Sequence, residues 1–589
     1  MKTVEERMKE RKKSNLIAVG ITYLIVMVYA LQSMRAYITL KTDNYTPPIN
    51  DILLLANSNI TSDFFFVPTS EYKGIIGMIT AVFIIIALNS VTKVKKTMPG
   101  EEYGTSKWAD KTEKSRFEDK KNKDNNTFLA DGIAVSLNNR VSKRNANTLA
   151  VGGSGSGKTF HFMLANLLSL SSSFLINDVK GELLINTGKF LKDNGYKIRV
   201  LNIKDMSNTM HYNPFKYIET ENDILDFIKC LFDNTNGESK EGEAFWRLAE
   251  QALDTAIIAF LKYDCREEDQ NLPNVLEMLR WCDASEEDEN SKSMLDMVFE
   301  DLEENLQEGE DEPLSLRQYK IYKKAAGKTA KSILISAMSR LGFLDLTDCK
   351  RMFSGKDEME FEKIGQEKTA LYVVNSDTST TYNFILGMAY SQCLNILSRR
   401  IDSGLRNKYH VQLLMDEFSN GAKIPDFPTI LSVVRSRNIS CKIIIQSISQ
   451  LKKMYKEGDE WETIVDNCDL KLFLGAGETS CEWLAKQLGK MTIDSTLYNK
   501  TYGRNGSRSE NNSRLGRELM TKEELMKLDN KLCICLIRGA NPMLSNKYNT
   551  VKHPRFKYIG DVENPENPNN YYFKAIDVNS EEIEEAKAI

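Results

Sequence analysis

Residues Gly152 to Thr159 read GGSGSGKT, and few stretches this short restrict a fold as tightly. Glycines let successive backbone N–H groups curl around a phosphate, and a helix that follows points its positive end at the same place. The pattern therefore needs a strand before it and a helix after it. Asn147 to Val151 is a short apolar approach, and Phe162 to Leu170 follows with helical spacing. Phe174 to Ile176 then reads as a second strand, ending at Asn177-Asp178, and Lys197 to Ile203 as another. Strand, glycine loop, helix and strand make the opening of a parallel α/β domain. In the pattern GxxxxGK[ST] the lysine, here Lys158, reaches the β- and γ-phosphates, and the hydroxyl of Thr159 ligates Mg²⁺. Gly152, Gly153, Ser154, Gly155, Ser156, Gly157, Lys158 and Thr159 are thus the expected cradle for ATP and Mg²⁺.

The complementary half of such a site is expected far downstream. His410 to Phe418 reads HVQLLMDEF, a buried-strand run that ends in two acids. Asp416 is placed to hold Mg²⁺ directly or through water, and Glu417 to polarise an attacking water. Gln446 ends the strand CKIIIQS, where a polar group sensing the γ-phosphate is useful. Arg435 and Arg437 in VVRSRNIS are candidates for a cation supplied across a subunit interface to the charge that develops during phosphoryl transfer.

Two apolar runs precede all of this, Leu16–Met34 and Gly74–Val91. As a helix, the first spans about 28 Å, close to the ~30 Å hydrocarbon core of a bilayer. Lys2, Arg7, Lys9, Arg11, Lys12 and Lys13 lie before it, and Lys93, Lys95 and Lys96 follow the second run. The intervening loop carries only Arg35, Lys41 and Lys73 among its basic residues. The excess of positive charge on the inner side predicts a multi-pass anchor in the cytoplasmic membrane, with both termini in the cytoplasm.

Residues 107–126 read as a charged linker or exposed helix. From about residue 218 to 345 the pattern is helical, which predicts an all-helical insertion in the α/β domain. Within it, 283–312 is crowded with carboxylates, and Arg317, Lys320, Lys323, Lys324, Lys328 and Lys331 follow. Lys320, Lys324, Lys328 and Lys331 have the spacing of one helical face, which either touches DNA phosphates or, the preferred reading, is solvated and balances the acids. Phe245 and Trp246 are expected in the core. Residues 503–516 read as a flexible surface loop. The predicted division is 1–99 anchor, 100–217 and 346–560 two parts of the nucleotide-binding domain, 218–345 helical insertion, and 561–589 acidic tail. A formal net charge of −4 excludes coating of nucleic acid by overall charge and leaves any such contact to a local basic patch. The cysteines form no CxxC pair, which argues against a zinc ribbon.

With these motifs in place the chain resembles the TraG/TraD conjugal-transfer family of type IV secretion coupling proteins. The resemblance runs from the double membrane anchor and YGTSKWA (103–109) through GGSGSGKT, NDVKGEL (177–183), HYNPF (211–215) and AFWRLAE (244–250). It continues in MDEFSNGAKIPDF (415–427), VVRSRNIS (433–440), IIIQSISQL (443–451) and RELMTKEEL (517–525). Val179 departs from it, because the family usually has proline there. The Lys/Asn-rich composition and short amino-terminal region resemble members from mobile elements of Gram-positive bacteria. The resemblance implies a RecA-like P-loop nucleotide-binding domain, an inserted helical domain, and a homo-hexameric ring with a central channel. It also implies an ATPase that passes a relaxase-bound single DNA strand to a type IV secretion channel. It puts the phosphate-loop roles on Gly157, Lys158 and Thr159 and the acidic pair on Asp416 and Glu417. Two other readings fit the same motifs: a receptor that docks protein substrates and uses ATP as an assembly switch, and an FtsK-like translocase of double-stranded DNA.

Overall fold

The computed structural model describes residues 4–64, 66–92, 101–235, 244–282, 292–325, 328–376, 379, 381–500 and 508–575. The chain divides into two units, Met1–Thr105 with Lys490–Arg517, and Ser106–Gly489 with Glu518–Ile589.

Among its described residues the first unit holds three α-helices, α1 (Val4–Leu40), α2 (Ile49–Ser62) and α3 (Lys73–Thr92). Lys9–Leu40 and Ser70–Thr92 are each long and apolar enough to cross a membrane. Helices α1 and α3 touch where the Tyr23 hydroxyl meets Thr80 Oγ1 at 3.0 Å and the Tyr23 ring packs edge-on against Phe83. The short helix α2 lies in the stretch read as a loop. At its end Asp63 is held by Gln32, which donates to its carbonyl at 2.7 Å, and by Arg35 at 2.8 Å.

The strands, in chain order, are β1 (Asn126–Ala130), β2 (Ile133–Ser136), β3 (Thr148–Val151), β4 (Ser172–Val179), β5 (Lys197–Asn202), β6 (Thr369–Asn375), β7 (His410–Met415), β8 (Ile439–Ile445), β9 (Leu470–Phe473), β10 (Lys490–Lys500), β11 (Arg508–Glu518), β12 (Leu532–Ile537) and β13 (Met543–Asn546). The expected loop at 503–516 is corrected here. Strands β10 and β11 form a two-stranded sheet in the first unit, and only 501–507 lie outside the described residues. Polar side chains link these strands: Thr496 donates to Asn512 at 2.8 Å, and Arg514 donates to Asp494 at 3.1 Å. Apolar periodicity does not register a ribbon built from such pairs.

The second unit is built on a nine-stranded sheet of order β13-β12-β9-β3-β8-β7-β4-β6-β5. Strands β9 to β5 in that order are parallel, and β12 and β13 add an antiparallel edge. Strands β3, β6, β7 and β8 are buried along their whole length, which is why they read as continuous apolar runs rather than alternating ones. Strands β8 and β7 lie between β3 and β4, so the chain leaves β3 and returns three places away. This reversal of strand order opens a crevice at the carboxyl ends of the strands.

The long crossover from β5 to β6 is helical. Its described helices are Glu221–Thr235, Ala244–Tyr263, Leu272–Arg280, Met294–Glu304, Leu314–Tyr322, Lys328–Leu341 and Thr347–Ser354. Ala244–Tyr263 is buried on all sides from Ala252 to Ala259, with Leu253, Ala256 and Ile257 fully enclosed. Phe299 stacks on Tyr319 at 4.0 Å, and the Tyr319 hydroxyl donates to Asp296 Oδ1 at 2.8 Å. At the start of Ala244–Tyr263, Phe245 and Trp246 are 60% and 39% exposed, which corrects the core expectation. They sit in the first turn of the helix, ahead of the buried run that begins at Ala249. The basic face at 320–331 is also broken, because one helix ends at Tyr322 and the next begins at Lys328. Lys320 binds Glu303 at 2.6 Å and Glu312 at 2.7 Å, and Lys323 binds Asp296 at 2.8 Å, so these lysines balance upstream acids. The expected tail is not free from its start. Gly560 donates to the Asn186 carbonyl at 2.7 Å, Tyr571 donates to that of Ile185 at 2.9 Å, and Phe573 packs on the core. The rest of that tail, 576–589, lies outside the described residues.

Candidate functional site

Strand β3 delivers the glycine loop to the crevice. Gly152 donates its N–H to the Ile445 carbonyl at the end of β8 at 3.0 Å, and Gly153 donates to Gly475 just beyond β9 at 2.8 Å. Both neighbouring strands therefore anchor the loop entrance. Gly155 and Gly157 take φ of +72° and +77°, a region where a side chain is strained, and a Cβ on Gly157 would lie 2.4 Å from His161 Cδ2. Ser154 and Gly155 form the exposed tip. Ser156 is buried, and its hydroxyl oxygen has no hydrogen-bond partner among the described residues. Lys158 is buried and donates to the Gly153 carbonyl at 3.2 Å. The helix that follows starts with a wide turn, Thr159–Met163, and tightens over Leu164–Leu167.

The Thr159 hydroxyl donates to Asp416 Oδ2 at 2.8 Å. This contact joins the glycine loop to the end of β7 across 257 residues of sequence. Asn177 at the end of β4 donates to the Asp416 carbonyl at 2.6 Å, and Glu417 donates its backbone N–H to Asp416 Oδ1 at 3.0 Å. Burial pushes the Asp416 carboxyl above its ordinary pKa, and the Thr159 hydrogen bond and the Lys158 charge oppose that rise. Glu417 takes a left-handed φ of +48°, which turns the chain sharply after the strand. Gln446, next after β8, donates Nε2–H to Glu417 Oε1 at 3.0 Å. Thr159, Asp416, Glu417 and Gln446 are thus one connected group, in the crevice with Lys158.

Arg435 and Arg437 are not part of that group. They precede β8, whereas Gln446 follows it, so the length of the strand, about 20 Å, separates them from the site within one chain. Arg437 is paired with Asp402 at 3.0 Å, and Arg435 is exposed.

Two contributors escaped the sequence. Lys547, just after β13, is buried and donates to the Ser156 carbonyl and to Asn530 Oδ1, each at 2.8 Å. His161 Nδ1 lies 2.8 Å from the carbonyl of Tyr548. Nothing local marks a lysine that supports a loop 391 positions upstream. Beside Asn177, Asp178 caps the helix Glu182–Asp193 by accepting from the N–H groups of Leu183 at 3.1 Å and Leu184 at 2.7 Å. Burial raises its carboxyl to about 6.

The donor set suits a nucleotide with Mg²⁺. Thr159 and Asp416 offer two hard oxygens already in contact, Lys158 is a buried ammonium with donors to spare, and the unpartnered Ser156 hydroxyl lies within the loop. The parallel sheet, the glycine loop and the acid at the end of a second strand define a P-loop nucleotide-binding protein of RecA-like fold. The family model described as type IV secretory system conjugative DNA transfer matches residues 101–565, and the chain belongs to that family.

Among curated relatives, the chain is 22% identical over 411 residues to Protein VirD4 of Rhizobium rhizogenes, covering 68% of this chain and 58% of the relative. It is 22% identical over 392 residues to conjugal transfer protein TraG of Escherichia coli, covering 63% and 60%. The chain thus spans less than two thirds of the length of these relatives. Among solved structures it is similar to the bacterial conjugative coupling protein TrwBdeltaN70, with a TM-score of 0.54 and 16% identity over 77% of this chain and 96% of that one. It is similar to TrwB in complex with ADP and Mg²⁺, with a TM-score of 0.52 and 15% identity over 75% and 92%.

Proposed function

We propose that the chain is a membrane-anchored ATPase of conjugation. It recruits a relaxase bound to single-stranded DNA and uses ATP hydrolysis to drive or license passage of the strand through a type IV secretion channel. It works as a homo-hexamer in the cytoplasmic membrane with both termini in the cytoplasm. The observation that carries the catalytic part is the 2.8 Å contact between Thr159 and Asp416, which couples the phosphate loop to an acid at the end of β7. Family membership supports the DNA part, and the two long apolar helices support the anchor.

In this reading the glycine loop holds the phosphates through its backbone N–H groups, and Lys158 turns from the Gly153 carbonyl to the β- and γ-phosphates. Thr159 and Asp416 would hold Mg²⁺, which when bound would supply positive charge against the phosphate oxygens. Glu417 orients the attacking water and accepts its proton. Gln446 fixes the carboxylate of Glu417, so the acid stands ready at one angle. Arg435 or Arg437 serves a neighbouring subunit, since neither reaches the site of its own chain. Lys158→Ala is expected to abolish hydrolysis and DNA transfer while the protein still reaches the membrane; normal transfer by that variant would overturn the reading.

A further inference from the structure

Away from the nucleotide crevice, a groove of about 890 Å³ runs along the free edge of β5, the last strand of the sheet. One wall is the segment Tyr571 to Ala575, and the other carries Met210, His211 and Arg351. Five cationic side chains line it, Lys192, Lys197, Arg199, Arg351 and Lys574, against one carboxylate, Glu358.

The described acids around it pair with only two of these five cations, Lys197 and Arg199. Glu358 accepts from the His211 backbone at 2.7 Å. Just outside the groove Glu367 pairs with Lys197 at 2.5 Å, and Glu360 pairs with Arg199 and with Lys363. Arg351 donates to the Met206 carbonyl at 2.9 Å. Lys192 faces the ring of Tyr571 at 5.9 Å. Neither Lys192 nor Lys574 has a carboxylate partner among the described residues.

Two kinds of extended polyanion match a groove of this size and sign, an acidic peptide and a nucleic acid strand. A peptide on a sheet edge gains affinity from successive main-chain hydrogen bonds. Here that ladder is already occupied at Val200 and Asn202. The Asn202 N–H is donated to Thr209 Oγ1 at 2.9 Å, the Val200 N–H points to Met210 Sδ at 3.3 Å, and the Val200 carbonyl accepts from Met210 at 3.1 Å. What the groove leaves open is charge and an aromatic face, since Tyr572 is 58% exposed beside Lys574. Cations that track a backbone, together with a ring on which a base stacks, are the equipment of single-strand binding.

We propose that this groove is a binding site for single-stranded nucleic acid, separate from the nucleotide crevice, with Lys192 and Lys574 on phosphates and Tyr572 stacked on a base. It rests on the reading of the chain as a DNA-transfer protein and adds a place on the surface where the strand is held.

The test uses the full-length protein in lipid nanodiscs and a fluorescent oligothymidylate, with anisotropy titrations at several salt concentrations. The Lys192→Ala/Lys574→Ala variant is expected to bind roughly tenfold more weakly and to lose about 1.4 from the slope of log affinity against log salt, near 0.7 per phosphate contact. Replacing both lysines by arginine should retain the slope. Tyr572→Ala is expected to weaken binding roughly fivefold or more with the slope unchanged. ATP hydrolysis without DNA should be unaltered in all three, which reports intact folding. If the alanine variant keeps the affinity and slope of the unaltered chain, this site is overturned while the DNA-transfer reading survives. If a labelled polyglutamate peptide binds the unaltered chain and is lost in the alanine variant while oligothymidylate binding persists, the groove is a peptide site. No oligonucleotide binding by the unaltered chain would overturn both this site and the reading beneath it.

Discussion

Gln446 donates its Nε2–H to Glu417 Oε1 at 3.0 Å, so the residue after β8 holds a carboxylate at the end of the adjacent strand β7. Glu417 itself follows Asp416, which accepts from Thr159. A carboxylate that orients water acts only when its angle is fixed. Gln446→Ala is therefore expected to lower kcat for ATP hydrolysis roughly 10–100-fold while KM changes little. Gln446→Glu places a second negative charge against Glu417 and should cost more, least at acidic pH. Steady-state kinetics separate these cases, and a rise in KM with kcat unchanged would assign Gln446 to nucleotide binding instead.

Lys547 supports the phosphate loop from the side of the Ser156 carbonyl. Its ammonium is buried, and burial lowers its pKa. Loss of a charged hydrogen bond of this kind costs about 1.5–3 kcal/mol. Lys547→Met should weaken binding of a fluorescent ATP analogue roughly tenfold or more and leave the anchor and the helical crossover folded. An unchanged dissociation constant would reduce Lys547 to a neutral packing element.

In the helical crossover, Arg340 donates to Glu250 Oε1 at 2.7 Å and to Thr235 Oγ1 at 2.6 Å, and it lies 4.1 Å from the centre of the Phe232 ring. Glu250 is buried, and one turn on, Asp254 is fully buried with neither oxygen hydrogen-bonded among the described residues. Arg340→Ala leaves Glu250 uncompensated and should destabilise this region by about 3–5 kcal/mol. Limited proteolysis is the readout, with faster cleavage expected within 244–341. Cleavage at the unaltered rate would show that the pair contributes little.

Asp178 gives a pH dependence with a definite sign. Its ordinary carboxyl value is 3.8, and burial raises it to about 6 in the folded chain. The folded state thus binds the proton more tightly. The associated stabilisation is fully present below about pH 4 and is lost as pH rises through 6, a change of up to about 3 kcal/mol. Hydrogen exchange at the amides of Leu183 and Leu184, expressed as protection, should fall between pH 4.5 and 7 in the unaltered protein and stay flat in Asp178→Asn. Parallel profiles would assign the slope to another group.

The phosphate loop, the acidic pair and Gln446 were legible because each is written locally, as a glycine pattern or a polar residue ending an apolar run. The parallel core was legible for the same reason, since strands buried on both faces leave unbroken apolar text. Contacts that join distant segments were not. Lys547 acts on a loop 391 residues away, and Asn177 looks like any strand terminator until its amide reaches Asp416. The ribbon β10–β11 is tied by polar pairs, so hydropathy presents it as a loop. The lysines at 320–331 keep helical spacing in the sequence, but the chain breaks its helix between Tyr322 and Lys328. Tyr571 and Phe573 dock the segment 571–573 through apolar side chains that an acidic surrounding conceals.

The most direct measurement is the rate of ATP hydrolysis by the full-length protein in nanodiscs, with and without single-stranded DNA, beside a Lys158→Ala control. A motor that engages the strand predicts hydrolysis that rises severalfold with DNA and is absent in the control. Hydrolysis indifferent to DNA in a preparation shown to be hexameric, or hydrolysis that survives in the control, would contradict it.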